Sequence, residues 1–232
     1  MHRDPLLLGG FVPFTTIDFP GRLAAVVFTQ GCPWRCGYCH NPHLWQTGGV
    51  SGGDTSWAAV LEILETRRGL LDAVVFSGGE PTAQLGLAAA CTAVCDRGFE
   101  VGLHTGGAVP ERLAAVLPLV DWVGFDVKAP FDMYEHTTRV PGSGDRARAS
   151  LSLLAASGVP FEVRTTVHSA LLTPDALRSL ACELDALGVA RWMLQPFRAE
   201  GAPAYLGASR YSADDLHTLT SGFRGHREVR LA

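Results

Sequence analysis

The sequence predicts an α/β fold, an incomplete (β/α)6 barrel with parallel strands. Apolar, β-branched runs alternate about six times with helical patterns, and this alternation is typical of a parallel sheet. The predicted strands are Ala24–Gln30, Ala73–Ser77, Glu100–His104, Trp122–Asp126, Phe161–Val167 and Arg191–Pro196. Six units are too few for the eight of a closed barrel, so we expect a splayed barrel with a groove for a ligand.

A polar face on two of the strands favours a barrel over an open sheet. In the fifth run, Glu162, Arg164 and Thr166 alternate with apolar residues, and in the fourth run Asp126 and Lys128 share a face. A parallel strand covered by helices on both sides would be apolar on both faces. We therefore expect these side chains to point into a barrel interior that holds a polar ligand.

Helices are predicted between the strands by apolar spacing and by end signals. The segment 54–68 carries apolar residues three and four positions apart, as one face of a helix does. Thr173 and Pro174 form an N-cap and a first-turn proline for a helix that ends before Gly188. Further helices are expected over 83–97, 147–157 and 213–221.

We expect residues 1–232 to form a single domain. Residues 1–23 are predicted as an N-terminal β extension at the barrel edge. Residues 24–198 would form the partial barrel, and residues 199–232 a C-terminal tail with one helix.

Composition excludes several classes of function. The chain has 232 residues, 47% hydrophobic residues and a net charge of −4. A protein that held nucleic acid through its phosphates would be basic, so no nucleic-acid partner is expected. No apolar run reaches the length of a membrane span or of a signal-peptide core, so we expect a cytoplasmic protein without a membrane partner. In that compartment six cysteines suggest metal or redox chemistry before disulfides.

Three of these cysteines form the sharpest motif of the chain. Cys32, Cys36 and Cys39 lie within eight residues, directly after the first predicted strand, at the mouth where barrel active sites sit. The spacing suits an iron–sulfur cluster with one iron left open. It also suits a structural zinc site whose fourth ligand would be His40 or His43, and on spacing alone both interpretations stand.

With an aromatic residue, Tyr38, before its last cysteine, this motif resembles the signature of the radical S-adenosylmethionine (SAM) enzymes. The resemblance implies the partial barrel of that family, with a [4Fe–4S] cluster and SAM as cofactors. Each of the three cysteines would bind one iron, and SAM would chelate the fourth.

Motifs at the ends of the later strands extend the resemblance. It implies that Gly78, Gly79 and Glu80 bind the methionine amino group of SAM, while Lys128 lies near the methionine carboxylate. Asp126 would face the substrate backbone or a bound cation. The remaining predicted cofactor-binding residues are Tyr38, Thr105, Asp126, Arg164 and Gln195, although Glu162 is an alternative partner for Arg164 and Gln195 could simply belong to the barrel wall.

One of these segments departs from the family pattern. His104-Thr105-Gly106-Gly107 stands where similar glycyl-radical activases carry Asp-Thr-Asn-Gly, whose aspartate helps to hold a monovalent cation. Imidazole is a poor ligand for a hard alkali cation, so that cation site is in doubt here.

The resemblance is closest to activating proteins of glycyl-radical enzymes, and within them to those of anaerobic ribonucleoside-triphosphate reductase. It implies an enzyme that reductively cleaves SAM and removes an α-hydrogen from a glycine of its partner. The electron would come from a flavodoxin or ferredoxin, with Arg35 and Arg22 as candidate contacts. Alternatives are an activase of pyruvate formate-lyase, a radical SAM enzyme acting on a small molecule, and a zinc-stabilised interaction protein.

Overall fold

Eight strands form one sheet in sequence order. A computed structural model of the protein describes residues 6–46, 56–198 and 206–229. The strands are β1 (Leu8–Thr15), β2 (Ala24–Thr29), β3 (Ala73–Gly78), β4 (Glu100–Thr105), β5 (Trp122–Asp126), β6 (Phe161–Val167), β7 (Arg191–Pro196) and β8 (His226–Val229). The first strand pairs antiparallel with the second, and all later pairs are parallel. The sheet is not closed, since β1 and β8 are its two edges.

The six predicted strands are confirmed as β2 to β7, each to within one residue at either end. The segment predicted as an N-terminal β extension contains β1, and its residues 1–5 lie outside the described part. The strand β8 was missed, because its sequence His-Arg-Glu-Val shows no apolar run. Its backbone pairs with β7 at the sheet edge, where a strand needs no buried face.

Seven α-helices among the described residues surround the sheet. They are α1 (Trp57–Glu65), α2 (Leu87–Cys95), α3 (Pro110–Val116), α4 (Tyr134–Thr138), α5 (Ser143–Ser157), α6 (Pro174–Ala186) and α7 (Ala213–Leu219). The Thr173 hydroxyl caps α6 as predicted, and Ser212 forms a capping box with Asp215 at α7. The predicted start of α1 at Asp54 lies outside the described residues. Two helices, α3 and α4, were missed because seven and five residues are too short for a periodic pattern.

Alternation along the strands divides the core into two parts. One face of the sheet packs against the helices in a large apolar cluster that includes Val27, Val123 and Val163. The other face carries a smaller cluster inside the barrel, at the amino ends of the strands, formed by Phe19, Ala24, Val26, Ala73, Val75 and Trp122. This cluster fills the amino-end part of the barrel interior together with the buried Glu162–Arg164 pair, and the cavity lies at the carboxyl end.

None of the helices in the described ranges is long and apolar enough to cross a membrane.

Candidate active site

A cavity lies at the carboxyl ends of β2 to β5, as the sequence predicts for a barrel of this kind. Ten of the twelve predicted site residues line it: Cys32, Cys36, Tyr38, Cys39, Gly78, Gly79, Glu80, Thr105, Asp126 and Lys128. The carboxyl ends of parallel strands meet at one edge of the sheet, and this places residues nearly one hundred positions apart around one space.

The cysteine loop is closed at its base by backbone and amide hydrogen bonds. The Gly31 amide donates to the Leu44 carbonyl at 2.8 Å, and the Gln30 side-chain amide donates to the His43 carbonyl at 3.0 Å. The Gln84 amide in turn donates to the Gln30 carbonyl. These buried amides were not singled out in the sequence, where an isolated glutamine gives no signal of its partners.

Helix α4 supports the loop from the side. The Arg35 amide donates to the carbonyl of Thr138 at 2.8 Å, and the Gly37 amide to that of Thr137 at 3.2 Å. The loop is therefore held at both its base and its middle by hydrogen bonds that fix its backbone. A fixed loop presents its thiols in one arrangement before any metal binds.

Burial controls the protonation of two of the three thiols. It raises the pKa of Cys32 to about 12, with the negative charge of Glu80 adding to the effect. Burial also raises the pKa of Cys36, although the nearby Lys128 ammonium acts in the opposite direction. Without a bound metal both thiols are protonated at neutral pH, so metal binding must release their protons.

The donor set suits an iron–sulfur cluster. Cys32, Cys36 and Cys39 line one cavity. A cubane cluster takes one thiolate on each of its irons, so three thiols leave one iron open to a further ligand. Within 6–46, 56–198 and 206–229, no three His, Cys, Asp or Glu side chains are grouped as ligands of one metal ion.

Glu80 is the most highly bonded carboxylate of the site. It is buried, and its Oε1 atom accepts from the Thr82 amide at 3.0 Å, the Thr82 hydroxyl at 2.7 Å and the Thr105 hydroxyl. Its Oε2 atom accepts from the Gly106 amide at 2.9 Å. Glu80 thus joins the turn after β3 to the end of β4, and Oε2 keeps room for a further donor such as an ammonium group.

Gly78 and Gly79 are required by packing as well as by any ligand. Gly78 has a φ of 108°, and a Cβ there would lie 2.7 Å from the carbonyl oxygen of Thr29. A Cβ on Gly79 would lie 2.7 Å from the carbonyl carbon of Gly31. Both glycines let this turn press against the start of the cysteine loop, so the packing of the turn itself requires them.

Lys128 and Asp126 form the charged wall of the cavity. The Lys128 ammonium lies 3.4 Å from Oδ2 of Asp126, and its side chain is 13% exposed against 44% for the aspartate. Burial acts to lower the pKa of Lys128, but the negative charge of Asp126 opposes it, and the pKa stays above its ordinary value. Burial raises the pKa of Tyr38, so its phenol stays neutral beside this pair.

Arg164 and Gln195 do not line the cavity. Arg164 is buried one layer below it, where its Nε atom lies 2.9 Å from Oε1 of Glu162 and its guanidinium lies over the Trp122 ring at 5.0 Å. This is the alternative partner that the sequence offered. A Cβ on Gly124 would lie 2.6 Å from the guanidinium carbon, so that glycine makes the space for it.

His104 connects this layer to the N-terminal segment. Its Nε2 atom lies 2.8 Å from the Asp18 carbonyl oxygen and 3.2 Å from Nη1 of Arg164. Nε2 donates to the Asp18 carbonyl oxygen in one tautomer and accepts from Arg164 in the other, so a single tautomer makes only one of these two hydrogen bonds. His104 lines the cavity floor, in the position where the resemblance places an aspartate.

Trp34, within the cysteine motif, is a cavity residue that the sequence analysis passed over. It is buried, and its Nε1 atom has no hydrogen-bond partner among the described residues. Its position between two motif cysteines was the only available signal. His168, one residue beyond β6, is buried, because Phe197 packs on its ring and the Ala170 amide donates to its Nδ1.

The two candidate contacts for an electron carrier lie at opposite ends of β2. Arg35 is in the cysteine loop, where its guanidinium donates to the carbonyls of Cys32 and Trp34. Arg22 precedes the strand at the amino end of the barrel and forms an ion pair with Glu100 at 2.8 Å. Arg22 is therefore too far from the cysteine loop to serve there, and Arg35 is the remaining candidate.

Comparison with known proteins decides the family. The profile described as "Radical SAM superfamily" matches residues 26–174, which is more than half of the chain and runs from within β2 to the first residue of α6. The chain belongs to the radical SAM superfamily. Enzymes of this superfamily use a [4Fe–4S] cluster and SAM, the cofactors that the cysteine motif predicts.

Named relatives indicate which enzymes of the superfamily this chain is similar to. A protein of Methanocaldococcus jannaschii, provisionally named a glycyl-radical enzyme activating enzyme, is 28% identical over 206 residues, with 78% of each chain covered. The pyruvate formate-lyase-activating enzyme of Clostridium pasteurianum is 32% identical over 117 residues. The match covers 48% of each chain, about half of that relative's length.

Among solved structures, Streptococcus suis SuiB bound to SAM is similar in fold, with a TM-score of 0.66 and 12% identity. The similarity covers 87% of this chain and 48% of SuiB. It confirms the partial barrel of the radical SAM fold.

The residues around the cavity fit both radical SAM cofactors. Cys32, Cys36 and Cys39 line the cavity and would supply three thiolates once metal binding releases their protons. Opposite them, the acceptor Glu80 and the cation Lys128 are suited to the two charged ends of an amino acid such as the methionine part of SAM.

Proposed function

We propose that this protein is the activating enzyme of a glycyl-radical enzyme, and that its partner is an anaerobic ribonucleoside-triphosphate reductase. The observation that carries the proposal is the shared cavity of the three cysteines, the Glu80 turn and the Asp126–Lys128 pair. The M. jannaschii relative supports the activase class over most of the chain's length. The segments Asp-Val-Lys-Ala-Pro at 126–130 and Leu-Gln-Pro-Phe at 194–197 support the choice of partner, through their resemblance to reductase activating proteins.

The chain's own residues would bind and orient the two cofactors. Cys32, Cys36 and Cys39 would each hold one iron. The free acceptor capacity of Glu80 would take the amino group of SAM, and Lys128 its carboxylate. When bound, the reduced cluster and SAM supply one-electron cleavage of a carbon–sulfur bond, the chemistry that permits removal of a hydrogen atom.

The protein's further role is to position the partner's glycine and exclude water. Asp126 keeps nearly half of its side chain exposed at the cavity, so its carboxylate is available to a backbone amide of an entering peptide. Tyr38 is neutral and buried beside it, which provides an inert wall. No side chain is required as a general acid or base, since the transferred particle is a hydrogen atom.

The first experiment tests the chemistry without the partner. The protein is reconstituted anaerobically with iron and sulfide, reduced with dithionite and given SAM, and 5′-deoxyadenosine is measured. Cys36→Ala should abolish the product, because a cluster ligand is lost. The matched control is Cys91→Ala, which changes a buried cysteine of α2 away from the cavity and should retain the product. Equal activity of the two variants would refute the assignment.

A second experiment tests the partner. The loaded enzyme is incubated with purified anaerobic ribonucleotide reductase or with pyruvate formate-lyase, and the glycyl radical is measured by electron paramagnetic resonance. A signal on the reductase alone supports the proposed partner. A signal on the lyase alone would replace the partner while leaving the activase class in place.

We further propose a flavodoxin or ferredoxin as electron donor, docking beside the cysteine loop at Arg35. Arg35→Glu should slow cluster reduction by the carrier while leaving reduction by dithionite unchanged. Arg35 also donates hydrogen bonds to the loop carbonyls, so its replacement could disturb cluster loading. The reduction rates of wild type and Arg35→Glu are therefore compared at equal iron content. Arg22→Glu, at the far end of the barrel, is the charge-matched control and should have no effect. Slower reduction by both reductants would reject the docking role.

A further inference from the structure

Trp34 and Gly106 both line the cavity and contact each other there, although they lie on different elements. Trp34 is in the cysteine loop and 1% exposed, and Gly106 follows β4. A Cβ built on Gly106 would lie closest to Cζ3 of Trp34, 3.2 Å from Cη2 of Trp34 and 3.3 Å from Cε of Lys128. Gly106 does not have a positive φ, so the strain that a side chain meets in the left-handed region does not apply there. The Trp34 ring is the first obstacle to a side chain at position 106.

The same indole also reaches the groups proposed to bind SAM. The Lys128 ammonium lies 5.8 Å from the centre of the Trp34 ring, within the range of a cation–π interaction. Tyr134 packs against the ring edge-on at 5.7 Å, and its hydroxyl accepts from the Lys128 amide at 3.1 Å. Trp34 therefore fixes both the side chain and, through Tyr134, the backbone of Lys128.

Gly106 is tied to the opposite part of the site. Its amide donates to Oε2 of Glu80 at 2.9 Å, so any displacement of the backbone at 106 moves the Glu80 carboxylate. The Trp34–Gly106 contact thus links the cysteine loop, Glu80 and Lys128. A change in the size of either residue alters the spacing of all three.

We infer that Trp34 is a positioning residue, size-matched to Gly106, that sets the distance between the cysteine loop and the Glu80 and Lys128 groups. This inference rests on the proposed SAM site and adds to it the residue that determines its dimensions. The size match also gives a physical reason for glycine at 106, where the resemblance expects asparagine.

The two residues can be tested as a compensating pair. Phe in place of Trp34 removes the outer ring atoms that meet Gly106 and retains an aromatic face. The methyl group of alanine at 106 would enter the volume those atoms leave. We expect Gly106→Ala to weaken SAM binding about tenfold and Trp34→Phe about threefold. The double variant should bind within about twofold of wild type, whereas independent effects would multiply to about thirtyfold.

The readout is the dissociation constant of SAM, measured by anaerobic titration calorimetry on cluster-loaded protein of equal iron content. Gly102→Ala is the matched control, because its Cβ would lie 2.9 Å from Val75 and 3.0 Å from Phe19 in the smaller apolar cluster at the amino end of the same barrel. It should lower the melting temperature and leave SAM affinity unchanged. Trp34→Leu provides a second compensating variant should Trp34→Phe fold poorly.

The outcomes separate this inference from the proposed function. Rescue in the double variant, with no effect of Gly102→Ala on affinity, supports the positioning role. If wild type binds SAM but the two single effects multiply, the size match is refuted and the proposed function stands. Equal loss of SAM affinity in Gly102→Ala and Gly106→Ala would also refute the size match, because it would show that any disturbance of packing in the barrel lowers affinity. If loaded wild type does not bind SAM, the proposed function fails and the inference fails with it.

Discussion

Replacing Glu80 by glutamine tests whether this carboxylate holds the cavity together as its contacts indicate. Glutamine keeps the size of the side chain but exchanges one acceptor oxygen for an NH2 group. In the less costly orientation the NH2 group faces the Gly106 amide, so two donors meet and the hydrogen bond at 2.9 Å is lost. The bonds from Thr82 and Thr105 remain, but they now go to a neutral acceptor.

The cost can be worked from these contacts. A buried amide left without a partner costs about 1–3 kcal/mol, and charge-assisted bonds are roughly twice as strong as neutral ones. Relief from burying a charge offsets part of this loss. We expect a net loss of about 2 kcal/mol in the free energy of unfolding, or about 4–8 °C in melting temperature for a chain of this size.

Urea unfolding of the metal-free protein under reducing, anaerobic conditions measures the effect. Thr82→Val, which removes one hydroxyl bond and keeps the carboxylate, should cost about 1 kcal/mol. Glu62→Gln on the exposed face of α1 is the matched control and should stay within about 0.5 kcal/mol of wild type. If Glu80→Gln were as stable as Glu62→Gln, the described network would not support the site, and the reasoning would be wrong.

Two further predictions concern buried groups outside the cavity lining. Arg164→Met alone should destabilise the protein by about 3–5 kcal/mol, because it leaves the Glu162 charge buried. In the same urea assay, adding Glu162→Gln should recover much of this loss. If the losses of the two single variants added instead, that result would contradict a buried ion pair. Cys91 has its pKa raised to about 12 by burial, so it stays protonated and unreactive at pH 9 in the folded protein. In the folded protein, iodoacetamide should label the exposed Cys95 but not Cys91, as measured by mass spectrometry. Cys91 should be labelled only after unfolding, when its pKa falls back towards the ordinary value. Rapid labelling of Cys91 in the folded state would show that α2 opens locally.

Much of the fold could be predicted because its signals are local. Each of the strands β2 to β7 is a continuous apolar or alternating run, and α6 and α7 carry their capping residues in sequence. The strand β8 and the helices α3 and α4 gave no such signal. They are too short or too polar, and they form because backbone groups pair or pack at positions that the rest of the fold creates.

The candidate site divides in the same way. The cysteine motif and the rim residues could be found because parallel strands bring their carboxyl ends to one edge, so position along the chain predicts position in space. The sequence could not choose between SAM and Glu162 as the partner of Arg164. It also could not show that Gly79 packs against the base of the cysteine loop, since these contacts join segments tens of residues apart.

The sequence by itself determined the order and direction of the barrel strands, the three thiols and the polar rim, because each depends on residue type and short-range spacing. Only the tertiary structure decided how closely the elements approach one another. It placed Trp34 against Gly106, four hydrogen bonds on Glu80 and Arg164 below the cavity. Those distances depend on side-chain volumes from separate elements that must fill one space together, and no local pattern in the chain encodes that constraint.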